Sequence, residues 1–118
     1  MADLALIVDD DAPTRFVYAH VMGALGYQTL EAGDGDEAIN ILDQYKPSLI
    51  LLDLLLPNRP GFEVLDAIYA DPAMDAACVM VISAQNQYQP DLREGDYFLL
   101  KPVLPQQLRD LVHKVRAR

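Results

Sequence analysis

Apolar and polar positions alternate along the chain in two rhythms. Four short runs are apolar at almost every position: Leu4 to Val8, Leu49 to Asp53, Val79 to Ser83 and Tyr97 to Leu100. Tyr27 to Ala32 reads as a further strand, the weakest of the set. Between the runs, apolar residues recur at three- and four-residue spacing, the period of a helix with one buried face. Phe16, Val17, His20, Val21, Ala24 and Leu25 share a face of the first such stretch, and Gly26 follows in the position that ends a helix with positive φ. Asp34 opens the second with Glu37 three residues on, a capping-box spacing, and Ala38, Ile41, Leu42 and Tyr45 form its stripe. Phe62, Leu65, Ile68 and Tyr69 mark the third, ended near Asp71-Pro72. The last helix opens with Pro105 near its first turn and carries Leu108, Leu111, Val112 and Val115.

Strands that are apolar at successive positions are buried on both faces, the habit of a parallel sheet covered by helices. Strand and helix in alternation therefore predict an α/β doubly wound fold with five parallel strands. In such a sheet the functional crevice lies beyond the carboxyl ends of the strands. A single domain over residues 1–118 is expected, with no repeat, linker or output domain.

Composition narrows the function. At 52% hydrophobic residues the chain can bury a sizeable core, and one cysteine, Cys78, excludes an internal disulfide and cysteine-cluster metal sites. Cys78 reads as a small buried hydrophobe. Nine basic against eighteen acidic residues give a net charge of −9, which argues against nucleic acid or an anionic membrane as partner. No apolar run approaches the roughly 20 residues of a membrane span, and Met1-Ala2-Asp3 lacks the basic start of a signal peptide; the expected compartment is the cytoplasm. The charge is uneven: the first 45 residues hold nine acids and a single base, Arg15, whereas the last ten hold four bases, well placed for the end of a helix.

Each long strand ends in a polar residue that its apolar run does not need. Asp9 and Asp10 end the first strand, Asp53 the third, Ser83 the fourth, and Lys101 follows the fifth. A parallel sheet brings these ends to one edge. Three carboxylates in one concavity oppose joint ionisation unless a cation is present. Mg²⁺ suits the donor set, because it takes a few carboxylates and keeps other positions for water or phosphate oxygens. Lys101 and Ser83 would add an ammonium and a hydroxyl aimed at a transferring phosphoryl group, and an aspartate can itself be the nucleophile.

Read in order, the pieces Ile7-Val8-Asp9-Asp10-Asp11, Leu51-Leu52-Asp53-Leu54-Leu55-Leu56-Pro57, Gly61-Phe62-Glu63-Val64-Leu65, Val81-Ile82-Ser83-Ala84 and Tyr97-Phe98-Leu99-Leu100-Lys101-Pro102 resemble the receiver domain of two-component response regulators, of the kind found in chemotaxis regulators. The resemblance runs over essentially the whole chain. It implies a flavodoxin-like sheet in the order 2-1-3-4-5 with helices on both faces. It implies a phosphorylation-dependent switch, a phosphoacceptor rather than an enzyme, which catalyses its own phosphoryl transfer and dephosphorylation. Asp53 would accept the phosphoryl group from a sensor histidine kinase or a histidine phosphotransfer protein, and an unnamed downstream effector would read the result. Asp10, Asp53 and the backbone carbonyl of Leu55 would bind Mg²⁺ directly, and Asp9 through water. Ser83 and Lys101 would hold phosphoryl oxygens, with Ser83 and Phe98 as the switch pair.

Some positions depart from the family pattern. Serine at 83 keeps the hydroxyl of the commoner threonine, Pro60 stands where an acid usually precedes Gly61, and Leu104 offers no capping oxygen before the last helix. The segment from Ala84 to Asp96 is short for the family. It has only Ala84, Tyr88 and Leu92 as a stripe, and Pro90 removes a helix donor. The fourth helix of the family is therefore expected to be short or irregular, at most one or two turns after Pro90 with a mobile loop before it. A dimer on that face would lose contact area, leaving the first and last helices as better candidates. Asp11 reads as a helix cap, and His20 and His113 as ordinary helix residues. A phosphohydrolase with an aspartate nucleophile is the rival enzyme reading. Pro13 after Asp9-Asp10-Asp11 and the absence of a second catalytic module oppose it. A module that is never phosphorylated and a flavin binder are the weaker rivals.

Overall fold

In the computed structural model, residues 3–85 and 89–117 are described. Five strands, β1 (Leu4–Val8), β2 (Gln28–Ala32), β3 (Leu49–Asp53), β4 (Cys78–Ser83) and β5 (Tyr97–Leu100), pair in parallel in the order β2-β1-β3-β4-β5. Four helices connect or flank them: α1 (Ala12–Ala24), α2 (Gly35–Gln44), α3 (Gly61–Ala70) and α4 (Pro105–Arg116), with a 3-10 turn at Pro72–Met74.

The two-residue period of the strands divides the core into two layers. Ala5, Ile7, Leu49, Leu51, Met80 and Ile82 face α1 and α4, where Val21, Met22, Leu108 and Val112 meet them. Leu6, Val8, Ile50, Leu52, Val79 and Val81 face α2 and α3, against Ala38, Leu42, Val64, Leu65 and Ile68. Every residue of β3 and β4 is buried, as expected for strands covered on both faces, while the edge strands β2 and β5 are only half-buried.

Helix α1 turns a different face inward from the one its periodicity predicts. Tyr18, Val21 and Met22 are buried, with Ala19 and Leu25 packed beside them. Phe16 (71% exposed), Val17 and His20 point outward, and the rings of Phe16 and His20 stack at 6.5 Å. Apolar residues surround this helix, so spacing alone left its rotation open. The rotation is set at its start, where Asp11 caps it and the Arg15 side chain reaches back to the end of β1. Gly26, at φ 96°, ends α1 as its position predicts. Asp34 caps α2 through the Glu37 amide at 2.8 Å. Tyr45 is the C-cap of α2 and is exposed, and Phe62 is exposed on α3, so neither joins the predicted stripe.

No helical turn occurs among the described residues between β4 and β5, so the turns expected after Pro90 are absent. Side-chain bonds take the place of a helix ladder. The Arg93 amide donates to the Tyr69 hydroxyl, and its guanidinium donates to the carbonyls of Met74 and Ala77 and to Asp96, lying 4.3 Å from the Tyr69 ring centre. The expected loop before Pro90, with Tyr88, falls on residues 86–88, outside the described residues. Among the described residues no helix is long and apolar enough to cross a membrane.

Candidate functional site

The sheet register carries the polar strand-end residues to one edge. Val8 pairs with Leu52, Asp53 with Ile82 and Ser83 with Leu100, so Asp9, Asp53, Ser83 and Lys101 step across neighbouring strands. Asp9 (1% exposed), Asp53 (4%) and Ser83 (4%) are buried, whereas Asp10 is exposed. One carboxylate oxygen from each of Asp9, Asp10 and Asp53 lies within 4.8 Å of the others. Of the five strand-end residues expected to converge, the three aspartates therefore meet in space, and the register sets Ser83 and Lys101 at the ends of the strands beside them.

Lys101 ties the cluster together. Its Nζ donates to Asp9 Oδ2 at 2.9 Å and to Asp53 Oδ2 at 2.8 Å. The other oxygens of both carboxylates are also fixed: Asp9 Oδ1 accepts from the Asp11 amide at 2.9 Å, and Asp53 Oδ1 from the Leu55 amide at 3.0 Å. Burial pushes the Asp53 carboxyl above its ordinary pKa, against the opposing pull of Lys101 and the Leu55 amide. Burial acts to lower the Lys101 pKa, but hydrogen bonds to Asp53 and Asp9 outweigh it and raise it above the usual range. Three carboxylates and one ammonium sum formally to −3 + 1 = −2. A pocket of hard oxygen donors with that residual charge fits a small divalent cation such as Mg²⁺.

One backbone feature shapes the loop beside Asp53. Gly61 starts α3 where a Cβ would lie 2.4 Å from the Asp53 carbonyl oxygen and 2.5 Å from Leu54 Cα. Only glycine lets the helix approach the strand end that closely. The peptide between Lys101 and Pro102 is cis.

The remaining predicted residues occupy distinct places. Ser83 Oγ accepts from the Gln85 amide at 3.1 Å, and the Ser83 carbonyl accepts from the Lys101 amide at 2.9 Å. Phe98 is half-buried and packs on the α2–α3 side of the sheet, as does Leu92. Leu55 is exposed beside the pocket. Asp11 turns away and caps α1 through the amide and hydroxyl of Thr14, which hold its carboxyl below its ordinary pKa. Sequence reasoning missed a role for Arg15, whose guanidinium donates to the Asp9 carbonyl at 2.6 Å. The available signal was its isolation as the single base among nine acids. A cleft of about 370 Å³ lined by Thr14, Val17, Tyr18, Lys101, Pro102 and Val103 opens beside the aspartates. A larger one, about 430 Å³, lies at the opposite end of the sheet near Asp3, Tyr27 and Cys78, away from this chemistry.

Comparison with known proteins agrees with this geometry. The family model described as "Response regulator receiver domain" matches residues 5–113. Among curated proteins, the DNA-binding response regulator MtrA of Mycobacterium tuberculosis is 32% identical over 119 residues, 100% of this chain and 51% of that protein. The phosphate regulon transcriptional regulatory protein PhoB of Escherichia coli is 31% identical over 121 residues, 99% of this chain and 52% of that protein. The chain thus spans about half the length of these relatives. Among solved structures, the response regulator TrrA of Thermotoga maritima in complex with Mg²⁺-BeF superposes with a TM-score of 0.81 at 25% identity, covering 96% of this chain and 98% of that one. The chemotaxis response regulator CheY4 of Vibrio cholerae, at 23% identity, shares the fold with a TM-score of 0.83 over 98% of this chain and 99% of that one.

Proposed function

The chain belongs to the response-regulator receiver family and is the receiver domain of a two-component response regulator, and from that premise we propose that Asp53 is its phosphoacceptor. The observation that carries the reading is the buried Asp53 carboxylate, held 2.8 Å from Lys101 beside Asp9 and Asp10. Its partner would be a histidine kinase or histidine phosphotransfer protein. As the phosphorus–nitrogen bond of the partner's phosphohistidine breaks, a phosphorus–oxygen bond to Asp53 forms, and the departing imidazole takes up a proton. The bonds from Lys101 and the Leu55 amide orient the Asp53 carboxylate for that attack.

Asp10, Asp53 and the Leu55 carbonyl would hold Mg²⁺ directly, with Asp9 acting through water. When bound, the ion would offset carboxylate repulsion and the charge on the phosphoryl oxygens. Lys101 would then exchange Asp53 for a phosphoryl oxygen, and the Ser83 hydroxyl, whose Oγ accepts from the Gln85 amide, would donate its own hydrogen to another. Movement of Ser83 would free space for Phe98, which is half-buried and packs against the α2–α3 layer of the core. The domain would lose the phosphoryl group to water through the same residues. Support for Mg²⁺ comes from the TrrA complex, a relative that carries Mg²⁺-BeF.

Mass spectrometry after incubation with a small phosphodonor and Mg²⁺ tests this reading. One added phosphoryl group on the wild type and none on Asp53→Asn is the expected result. An equal gain on the variant would place the acceptor elsewhere.

A further inference from the structure

We infer that Arg15 is a positioning residue for the acidic pocket, holding the Asp9–Asp10 peptide in the orientation that lets both aspartates face one cation. The inference rests on the Mg²⁺ site proposed above, and it concerns a residue that contributes no ligand to it.

The geometry is specific. Arg15 stands one turn into α1, and its Nη1 donates to the Asp9 carbonyl oxygen at 2.6 Å, a short charge-assisted bond. That oxygen belongs to the peptide joining Asp9 to Asp10. Its Nε donates at 3.3 Å to Glu31, which lies on β2. A Cβ on Gly33 would sit 3.2 Å from Nη1, so the glycine just after β2 leaves room for the guanidinium. The arginine thus spans the ends of β1 and β2 from α1.

Asp9 itself is already held by bonds outside that peptide. The Asp9 amide donates to the Ala32 carbonyl at 3.1 Å, and Asp9 Oδ1 accepts from the Asp11 amide at 2.9 Å. Among the described residues Asp10 has no comparable anchor of its own: it is exposed, and its direction follows from the peptide before it. Rotation of that peptide would swing the Asp10 carboxylate out of the set of oxygens lying within 4.8 Å. Arg15 supplies the bond that opposes the rotation. Lysine cannot substitute, because one ammonium on a flexible stem does not present two donors in a fixed fork.

Charge and positioning predict opposite signs, which makes the inference testable. Arg15 is a cation near an acidic pocket, so by Coulomb's law alone its removal should strengthen cation binding, and salt should screen that effect. Loss of positioning should weaken binding at any salt concentration, by roughly ten- to a hundredfold for the outer partner of a metal ligand. Mg²⁺ affinity would be measured by titration of backbone amide NMR shifts, at low and high salt. The wild type and Arg15→Gln, Arg15→Lys, Glu31→Gln and Asp10→Ala would be compared.

Arg15→Gln is expected to bind Mg²⁺ about tenfold more weakly at both salt concentrations. Arg15→Lys is expected to bind more weakly too, although it keeps the charge, and Glu31→Gln to follow in the same direction with a smaller loss. Unchanged or stronger binding by Arg15→Gln, with Arg15→Lys like the wild type, would overturn the inference while leaving the Mg²⁺ site intact. Absence of binding by the wild type itself, or undiminished binding by Asp10→Ala, would remove the site and the inference together. If Arg15→Gln fails to fold, Arg15→Lys, which keeps the charge, decides the question by the same readout.

Discussion

At Lys101 one ammonium satisfies two buried carboxylates, so its loss strands Asp9 and Asp53 together. Removing one partner of a buried ion pair is far more damaging than replacing the whole pair. Lys101→Met is expected to fold but to lose about 3 kcal/mol of unfolding free energy in metal-free buffer, read by urea denaturation. Saturating Mg²⁺ should recover much of that loss, and an equal loss with and without the ion would separate the lysine from the cation site. Asp53 sets a pH dependence beside it. Burial raises its pKa in the folded state, so the folded chain holds this proton more tightly than the unfolded chain does. The folding advantage of the protonated form is present below the ordinary carboxylate pKa and is lost as pH rises through the raised value. Mg²⁺ requires the ionised form. Its stabilising effect should therefore fade as pH drops, starting above the ordinary carboxylate range, in thermal melts run with and without Mg²⁺ from neutral pH downward.

Among the elements, α3 and α4 both start without a side-chain cap, at Pro60 and Leu104. Leu104 has the extended backbone of an N-cap, at φ −78° and ψ 148°, but its side chain offers no acceptor and is 62% exposed. Leu104→Ser should add about 1 kcal/mol, measured by urea denaturation, because a hydroxyl there can accept from an otherwise unpaired amide. The C-terminal end of α4 is well matched: His113, Lys114 and Arg116 lie in its last turn, and Arg116 donates to the Leu25 carbonyl at 2.7 Å. The β4–β5 connection depends on a side chain instead of a helix. Arg93→Ala would remove three donations and leave the Asp96 side chain, 3% exposed, without its cation. The backbone amide bond to Tyr69 does not need the side chain and stays, so the expected cost is about 2 kcal/mol. Hydrogen exchange should accelerate at residues 91–96 before it does in β4. Protection that falls equally in both would mean the segment is not an independent clamp.

For the molecule as a whole, the net charge of −9 and the aspartate pocket act in one direction. Both favour a divalent cation. Binding that is specific to the folded state should stabilise it by about 2.7 kcal/mol at a hundredfold excess over Kd, several degrees in Tm. Asp10→Ala should abolish that shift at fixed ionic strength, and a shift that survives would be a general charge effect.

The sequence by itself determined the elements and the chemistry. β1, β3 and β4 are apolar at nearly every position, which two-sided burial demands, and β1, β3 and β5 begin and end where the apolar runs do. A polar residue at the end of an apolar strand is costly without a function, which made Asp9, Asp53, Ser83 and Lys101 legible before any coordinates. Tertiary structure decided matters that depend on direction rather than composition. It set the rotation of α1, because a helix with apolar residues all round has no preferred phase until Asp11 and Arg15 anchor it. It replaced an expected turn after Pro90 with the Arg93 clamp, whose partners lie 16 to 24 residues away in sequence at Ala77, Met74 and Tyr69. It also gave Arg15 its place. Sequence marked that residue as a lone cation, but the carbonyl it binds carries no side-chain signature, and a backbone oxygen becomes a partner only once the chain has folded around it.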